Sequence, residues 1–204
     1  MKFRQSAFML ASACAVFACS PQPEAPSEPV PKVQTGAMDV QTDAMDVQTD
    51  ALVVIRDIMT ANQDSLGTVT LTDLGAQGTE VTVALSGLDG AGIHAMHFHE
   101  TGLCEAPDFS SAGGHYNPTG MDHGAMTATG PHAGDMMNIE IDSDGNGLMT
   151  VINERVSING DHGLPALFDD NGSALIIHAG ADDYVSQPSG AAGPRIGCAL
   201  ITAS

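Results

Sequence analysis

The chain has 204 residues, 25 of them acidic and six basic, for a net charge of −19. That length holds one domain of ordinary size plus a leader. The charge excludes nucleic acid as a partner, because no basic footprint exists to neutralise phosphates.

The chain starts as an export signal does. Lys2 and Arg4 form a basic start, Ser6 to Ala18 form a short apolar stretch, and Val16-Phe17-Ala18-Cys19 closes it. The stretch is too short to span a bilayer, so residues 1–18 are read as a signal peptide. A small residue directly before Cys19 resembles a bacterial lipoprotein processing site, which makes Cys19 the lipid-attachment residue. Plain cleavage, leaving a free soluble product, is the alternative, since Phe17 stands where a smaller residue is more usual. Either way the expected place is the bacterial periplasm or cell envelope, and Ser20 after Cys19 favours the outer membrane. Residues 19–50 read as a disordered tether: proline-rich over Pro21–Pro31, then a heptad-length repeat, Val33–Asp39, Val40–Asp46 and Val47–Leu52. So few copies are too short for a coiled coil and make a spacer instead.

From Ala51 the texture changes to short β-rich runs punctuated by Gly, Asn and Asp, and residues 51–204 read as one domain. The predicted strands are Val53–Met59, Gly67–Leu74, Thr79–Ser86, Gly92–Glu100, Met137–Ile141, Leu148–Ile152, Ala174–His178 and Ile196–Thr202. Thr79-Glu-Val-Thr-Val-Ala-Leu85 alternates with period two, and Asp142-Ser-Asp-Gly-Asn-Gly147 has the chemistry of a hairpin turn. No window carries a helical period. Eight short strands imply an all-β sandwich or flattened barrel. Thr101–Met136 breaks the pattern: it is long, poor in strand signal, and needs something other than backbone pairing to hold it.

The histidines supply that something. Eight are present, His94, His97, His99, His115, His123, His132, His162 and His178. On a strand His97 and His99 point to one face, about 6.5 Å apart, close enough for both to reach one metal. Inside the long loop His115, His123, His132 and Asp135 form a donor set suited to tetrahedral zinc, and binding would order the loop. His178 ends the apolar run Ala174-Leu-Ile-Ile177 at the rim of the core. Of the four cysteines, Cys14 and Cys19 belong to the leader. Cys104 and Cys198 remain as an even pair in a compartment that permits disulfides. A bridge would close a long loop, worth roughly 4–5 kcal/mol in the chain-entropy account; two unconnected buried thiols are the alternative.

These motifs resemble those of the copper–zinc superoxide dismutases. Gly92-Ile-His-Ala-Met-His-Phe-His-Glu100 is similar to that family's first copper-ligand motif, and Gly113-Gly-His-Tyr-Asn-Pro118 to the segment with its bridging histidine. His123-Gly124 and His132-Ala-Gly-Asp135 resemble the zinc ligands. Leu175-Ile-Ile-His-Ala-Gly-Ala-Asp-Asp183 resembles the last copper-ligand strand and the start of the electrostatic loop. Gly193-Pro-Arg-Ile-Gly-Cys198 resembles the segment with the active-site arginine and the second disulfide cysteine. The likeness covers nearly all of 51–204, in the family's order.

The resemblance implies a Greek-key sandwich or flattened barrel of eight strands with long metal-binding and electrostatic loops. It implies one copper per chain on His97, His99, His115 and His178. It implies one zinc on His115, His123, His132 and Asp135, with the His115 imidazolate bridging the two. Asp182 is then the aspartate linking a ligand of each metal, Arg195 the cation beside copper, His94 a framework residue bonded to backbone, and Cys104–Cys198 the disulfide. His162 has no counterpart and falls to a surface loop. The implied reaction is disproportionation of superoxide, the alternative a non-catalytic domain of the same fold that delivers or stores metal. No membrane contact beyond the lipid is expected, and both a monomer and a homodimer fit. Two departures bear on this. Residues 51–204 contain Arg56, Arg155 and Arg195 but no lysine, and Thr119 stands where several bacterial relatives have one, which implies weak steering of the anion. Met121, Met126, Met136 and Met137 crowd the metal loop, where packing explains them better than a copper-loading role for the soft thioether.

Overall fold

The computed structural model describes residues 51–203; the expected signal peptide (1–18), Cys19 and the expected tether (19–50) lie outside them. The described chain is all β apart from three short 3-10 turns, and none of its helices is long and apolar enough to cross a membrane. Nine strands form: β1 Val53–Met59, β2 Ser65–Asp73, β3 Thr79–Leu85, β4 Gly92–His94, β5 Met96–His99, β6 Ile139–Ile141, β7 Gly147–Asn153, β8 Ser173–His178 and β9 Arg195–Ile201. The alternation seen in Thr79–Leu85 is realised, every second residue of β3 being buried.

Seven strands make one antiparallel sheet in the order β5-β8-β9-β1-β2-β3-β7, while β4 and β6 pair separately. The predicted single strand Gly92–Glu100 is thereby two. At Ala95 the chain leaves β6 as partner and joins β8: the Ala95 amide donates to the Gly180 carbonyl (2.8 Å) and its carbonyl accepts from the His178 amide (2.9 Å). Composition could not announce this change of partner, because both halves are equally apolar. The other end closes in the same way, since β6 runs into β7 through a turn in which Asp142 Oδ1 accepts from the amides of Asp144 and Asn146. Both edge strands of the large sheet are thus continued by strands that pair with each other, and the sheet curls around one core. Ile58, Val69, Leu71, Val81, Val83, Met96, Phe98, Ile139, Ile141, Leu175, Ile177 and Ile201 fill it, all essentially without solvent contact.

A second, smaller cluster lies on the opposite side of β8 and β9, where Phe109 and Ala112 of the long loop cover Ala174, Ile176 and Cys198. The Cys104–Cys198 disulfide fastens the loop there, joining residues 94 positions apart with 5.8 Å between their Cα atoms. This layer explains why β8 is buried along its whole length. It is also the first of the ties that hold Thr101–Met136.

Candidate metal centre

In β5, Met96 and Phe98 point into the core, so His97 and His99 stand on the other face, their ring centroids 6.5 Å apart. The pairing of β5 with β8 sets Ile176 opposite His97. His178 then emerges where β8 breaks register against β9, its ring 5.0 Å from His97 and 5.7 Å from His99.

The free edge of β5 is covered by the long loop instead of another strand. Tyr116 donates its amide to Phe98 O (2.8 Å), Phe98 its own to Gly134 O (3.0 Å), and Gly134 to Tyr116 O (2.8 Å). These bonds set His115 opposite His99 and Asp135 opposite His97. The loop therefore gains backbone pairing where the sequence showed no strand signal.

Two donor sets result, each with its ligand atoms within 4.8 Å of one another: His97, His99, His115 and His178, and His115, His123, His132 and Asp135. All seven residues are buried. The residue they share is His115, whose ring centroid lies 4.0 Å from that of His97 and 5.5 Å from that of His132. Asp135 Oδ1 lies 2.9 Å from His115 Nδ1 and 3.3 Å from His132 Nδ1, and its Oδ2 lies 3.1 Å from His123 Nδ1. Ligands about 2.0–2.1 Å from a tetrahedral zinc have edges near 3.3 Å, so this spacing fits a zinc ion.

The second nitrogens are held from behind. His99 Nδ1 donates to Gly113 O (3.0 Å) and His178 Nδ1 to Gly193 O (3.1 Å). Asp182 accepts on both oxygens, from His97 Nε2 at 2.9 Å and His123 Nε2 at 3.0 Å, and so ties one set to the other. Each of these rings is fixed in one tautomer with its other nitrogen presenting a lone pair. Six buried nitrogens without a hydrogen-bond partner are found among the described residues: Nδ1 of His97, His123 and His132, and Nε2 of His99, His115 and His178. A buried polar atom left unpaired costs about 1–3 kcal/mol. Six converging on two points are explained by metal ions, and imidazole suits both copper and zinc.

Burial holds the three strand-borne rings neutral. It lowers His97 to about 4, His99 to about 2 and His178 to about 3, with the neighbouring histidines adding to the effect. Burial alone would raise the two carboxyls, but hydrogen bonds outweigh it. His97 and His123 hold Asp182 at about 2, and His115 with the Gly124 amide keeps Asp135 well below the usual range. Arg195, at the start of β9 opposite His178, donates from Nη1 to Phe109 O and from Nη2 to Gly113 O, both at 2.6 Å. Gly113 O thus serves His99 and Arg195 together, and the cation is held by two carbonyls, one of them shared with that ring.

Several contributors carry no signal in the sequence. Gln187 grips the His123 backbone on both sides, its Oε1 accepting from the amide and its Nε2 donating to the carbonyl, each at 2.8 Å. Asn138 does the same for Asp182, at 2.8 and 2.9 Å. Gly190, at φ +66°, leaves no room for a Cβ, which would strike Asp182 Oδ1 and His123 Nε2. His94 donates from Nδ1 to the His178 carbonyl at 2.8 Å and so is a framework residue. His162 is exposed in the Asp161–Gly163 turn, away from both sets. Met136 packs in the core, whereas Met121, Met126 and Met137 are exposed, so packing explains one of the four methionines and not the rest.

Comparison with known proteins agrees with this geometry. Residues 65–201 match the copper/zinc superoxide dismutase family (SODC). Superoxide dismutase [Cu-Zn] 1 of Aquifex aeolicus is 48% identical over 107 residues, 52% of this chain and 63% of the relative, so the match spans less than two thirds of that protein. The Caulobacter vibrioides superoxide dismutase [Cu-Zn] is 40% identical over 136 residues, 66% of this chain and 77% of the relative. Among solved structures, a SOD-like protein from Bacillus subtilis superposes with a TM-score of 0.68 at 32% identity, covering 72% of this chain and 97% of that one. The Cu/Zn superoxide dismutase from Brucella abortus, at 24% identity and a TM-score of 0.58, shares the fold. The chain belongs to the copper/zinc superoxide dismutase family, and its two donor sets fit that family's two metals.

Proposed function

We propose that the protein disproportionates superoxide to O2 and H2O2, with copper held by His97, His99, His115 and His178 and zinc by His115, His123, His132 and Asp135. The observation that carries this reading is His115, which belongs to both donor sets. Bound copper supplies a one-electron couple, and zinc, without redox chemistry, supplies a fixed charge. His115 Nδ1 is kept on the Asp135 side, while Nε2 faces the copper set and would take up one proton and pass it to the reduced product, water supplying the second that H2O2 needs. Asp182 keeps His97 and His123 in the tautomers that present Nδ1. Arg195, locked to two carbonyls, offers the anion a preorganised cation that costs no reorganisation as charge arrives.

Metal content and cyanide-sensitive activity after copper loading test the proposal. Equal copper and zinc with activity support it. Zinc alone with no turnover after loading favours the non-catalytic alternative, a metal-delivery or storage domain.

From the leader sequence we propose that the protein is held in the periplasm or cell envelope by lipid on Cys19. Replacing Cys19 by Ser should move the protein from the membrane to the soluble fraction; a protein that is soluble with Cys19 intact contradicts the anchor.

A further inference from the structure

His132 and Asp135 belong to no helix or strand, yet the backbone between them is pinned at every carbonyl. Gly134 O accepts from the Phe98 amide of β5. The other three are taken by two side chains from the end of β7. Asn153 Nδ2 donates to Ala133 O at 2.8 Å. Arg155 donates from Nε to His132 O at 3.3 Å and from Nη2 to Asp135 O at 2.6 Å. Asn153 is itself locked, because its Oδ1 accepts from the Arg155 amide at 3.0 Å, and it is buried to 1% exposure. A fully buried amide next to an apolar core is costly unless both ends are used, and here both are.

The sequence distinguishes Arg155 only as one of three arginines in residues 51–204, where lysine is absent. Arg56 reaches the Thr202 carbonyl, and Arg195 lies beside the copper set. Arg155 lies on the zinc side, half-buried, its charge facing Asp135.

We infer that Arg155, backed by Asn153, is a positioning residue that sets how tightly the His132–Asp135 pair holds zinc. The inference rests on reading His115, His123, His132 and Asp135 as the zinc set. The physical basis is the fork. One guanidinium spans the carbonyls of two ligands three positions apart, so it fixes the direction in which both side chains leave the backbone before metal arrives. A lysine offers a single nitrogen on a flexible stem, with no rigid fork to set the spacing of the two carbonyls. The loop then need not order itself around the ion, and binding carries less of that entropic cost.

The test is zinc competition against a chelator using the full chain, together with the visible spectrum of cobalt(II) placed in the zinc set. R155Q should hold zinc about 10–100-fold more weakly and shift the cobalt bands, which report ligand geometry and not stability. R155K, which keeps the charge, should remain at least about fivefold weaker than the parent. R56Q, which loses a comparable bond to a backbone carbonyl far from the site, should bind zinc as the parent does. The inference is overturned by R155Q matching the parent in affinity and spectrum, by full rescue in R155K, or by an equal loss in R56Q. A parent protein that takes no zinc overturns the metal reading itself, which keeps the two failures apart.

Discussion

The two donor sets meet at one ring but are built by different means. His97, His99 and His178 stand on β5 and β8, where strand register alone fixes where each ring emerges. His123, His132 and Asp135 stand on loop, where the single bridge of Asp135 to His97 is the only strand-like register they have. Their positions come from side chains that grip backbone: Gln187 on His123, and Asn153 and Arg155 on the peptide from His132 to Asp135. The chemistry differs in parallel. The strand-borne rings are kept neutral chiefly by burial, whereas Asp135 stays ionised through its hydrogen-bond donors. A sheet sets where its ligands emerge and needs partners only to orient the rings, while a loop also needs its backbone fixed, by amide and guanidinium clamps or by the metal. The loop-borne set should therefore be the more fragile under mutation.

Asp182 offers the sharpest way to break that comparison, because it touches both sides. An asparagine in its place could accept from one ring only and would present an NH2 group to the other N–H. D182N should weaken metal binding by about 10–100-fold, with the larger loss at zinc, since His97 keeps its strand while His123 keeps only its loop. Chelator titration followed separately for each metal decides it; a larger loss at copper would reverse the ordering.

Gln187 should affect one side alone. Q187A removes both bonds to the His123 backbone, and zinc retention should fall about tenfold, the low end for such supporting residues, with copper affinity unchanged. Equal losses at both metals would show that the clamps serve the whole fold and not the zinc loop.

What could be read in advance divides along the same line. The alternation in Thr79–Leu85 fixed a strand and its buried face, and His97-x-His99 placed two rings side by side because period two is local. Donor chemistry likewise singled out the loop residues His115, His123, His132 and Asp135. The clamps stayed hidden: Gln187 and Asn138 are ordinary polar residues whose partners lie 64 and 44 positions away. The predicted strand Met137–Ile141 shows the cost of that blindness. Only Ile139–Ile141 pairs, because Asn138 is diverted to hold Asp182.

Acid provides a milder probe of the strand-borne set. His97, His99 and His178 sit at about 4, 2 and 3 in the folded chain, below the usual 6.5, so the unfolded chain binds more protons as pH falls through that interval. Stability of the metal-free protein is complete above about pH 6.5 and declines below it, by up to about 1.4 kcal/mol per pH unit for each proton taken up on unfolding. Denaturant midpoints at pH 7.5, 6 and 5 should fall in that order; no change between 7.5 and 5 would contradict burial as the source of the low values.

The smallest expected effect concerns steering. Arg195 is held locally, and no lysine exists in 51–204 to extend a positive field. Turnover at limiting superoxide should change little with ionic strength, and a steep fall on adding salt, measured by stopped flow, would refute weak steering.

The account depends above all on the ring of residue 115 lying between two metals. With copper(II) placed in both donor sets, a shared imidazolate must couple the two unpaired spins, so the low-temperature EPR signal should largely vanish. Two independent copper signals of full intensity would contradict the shared ring.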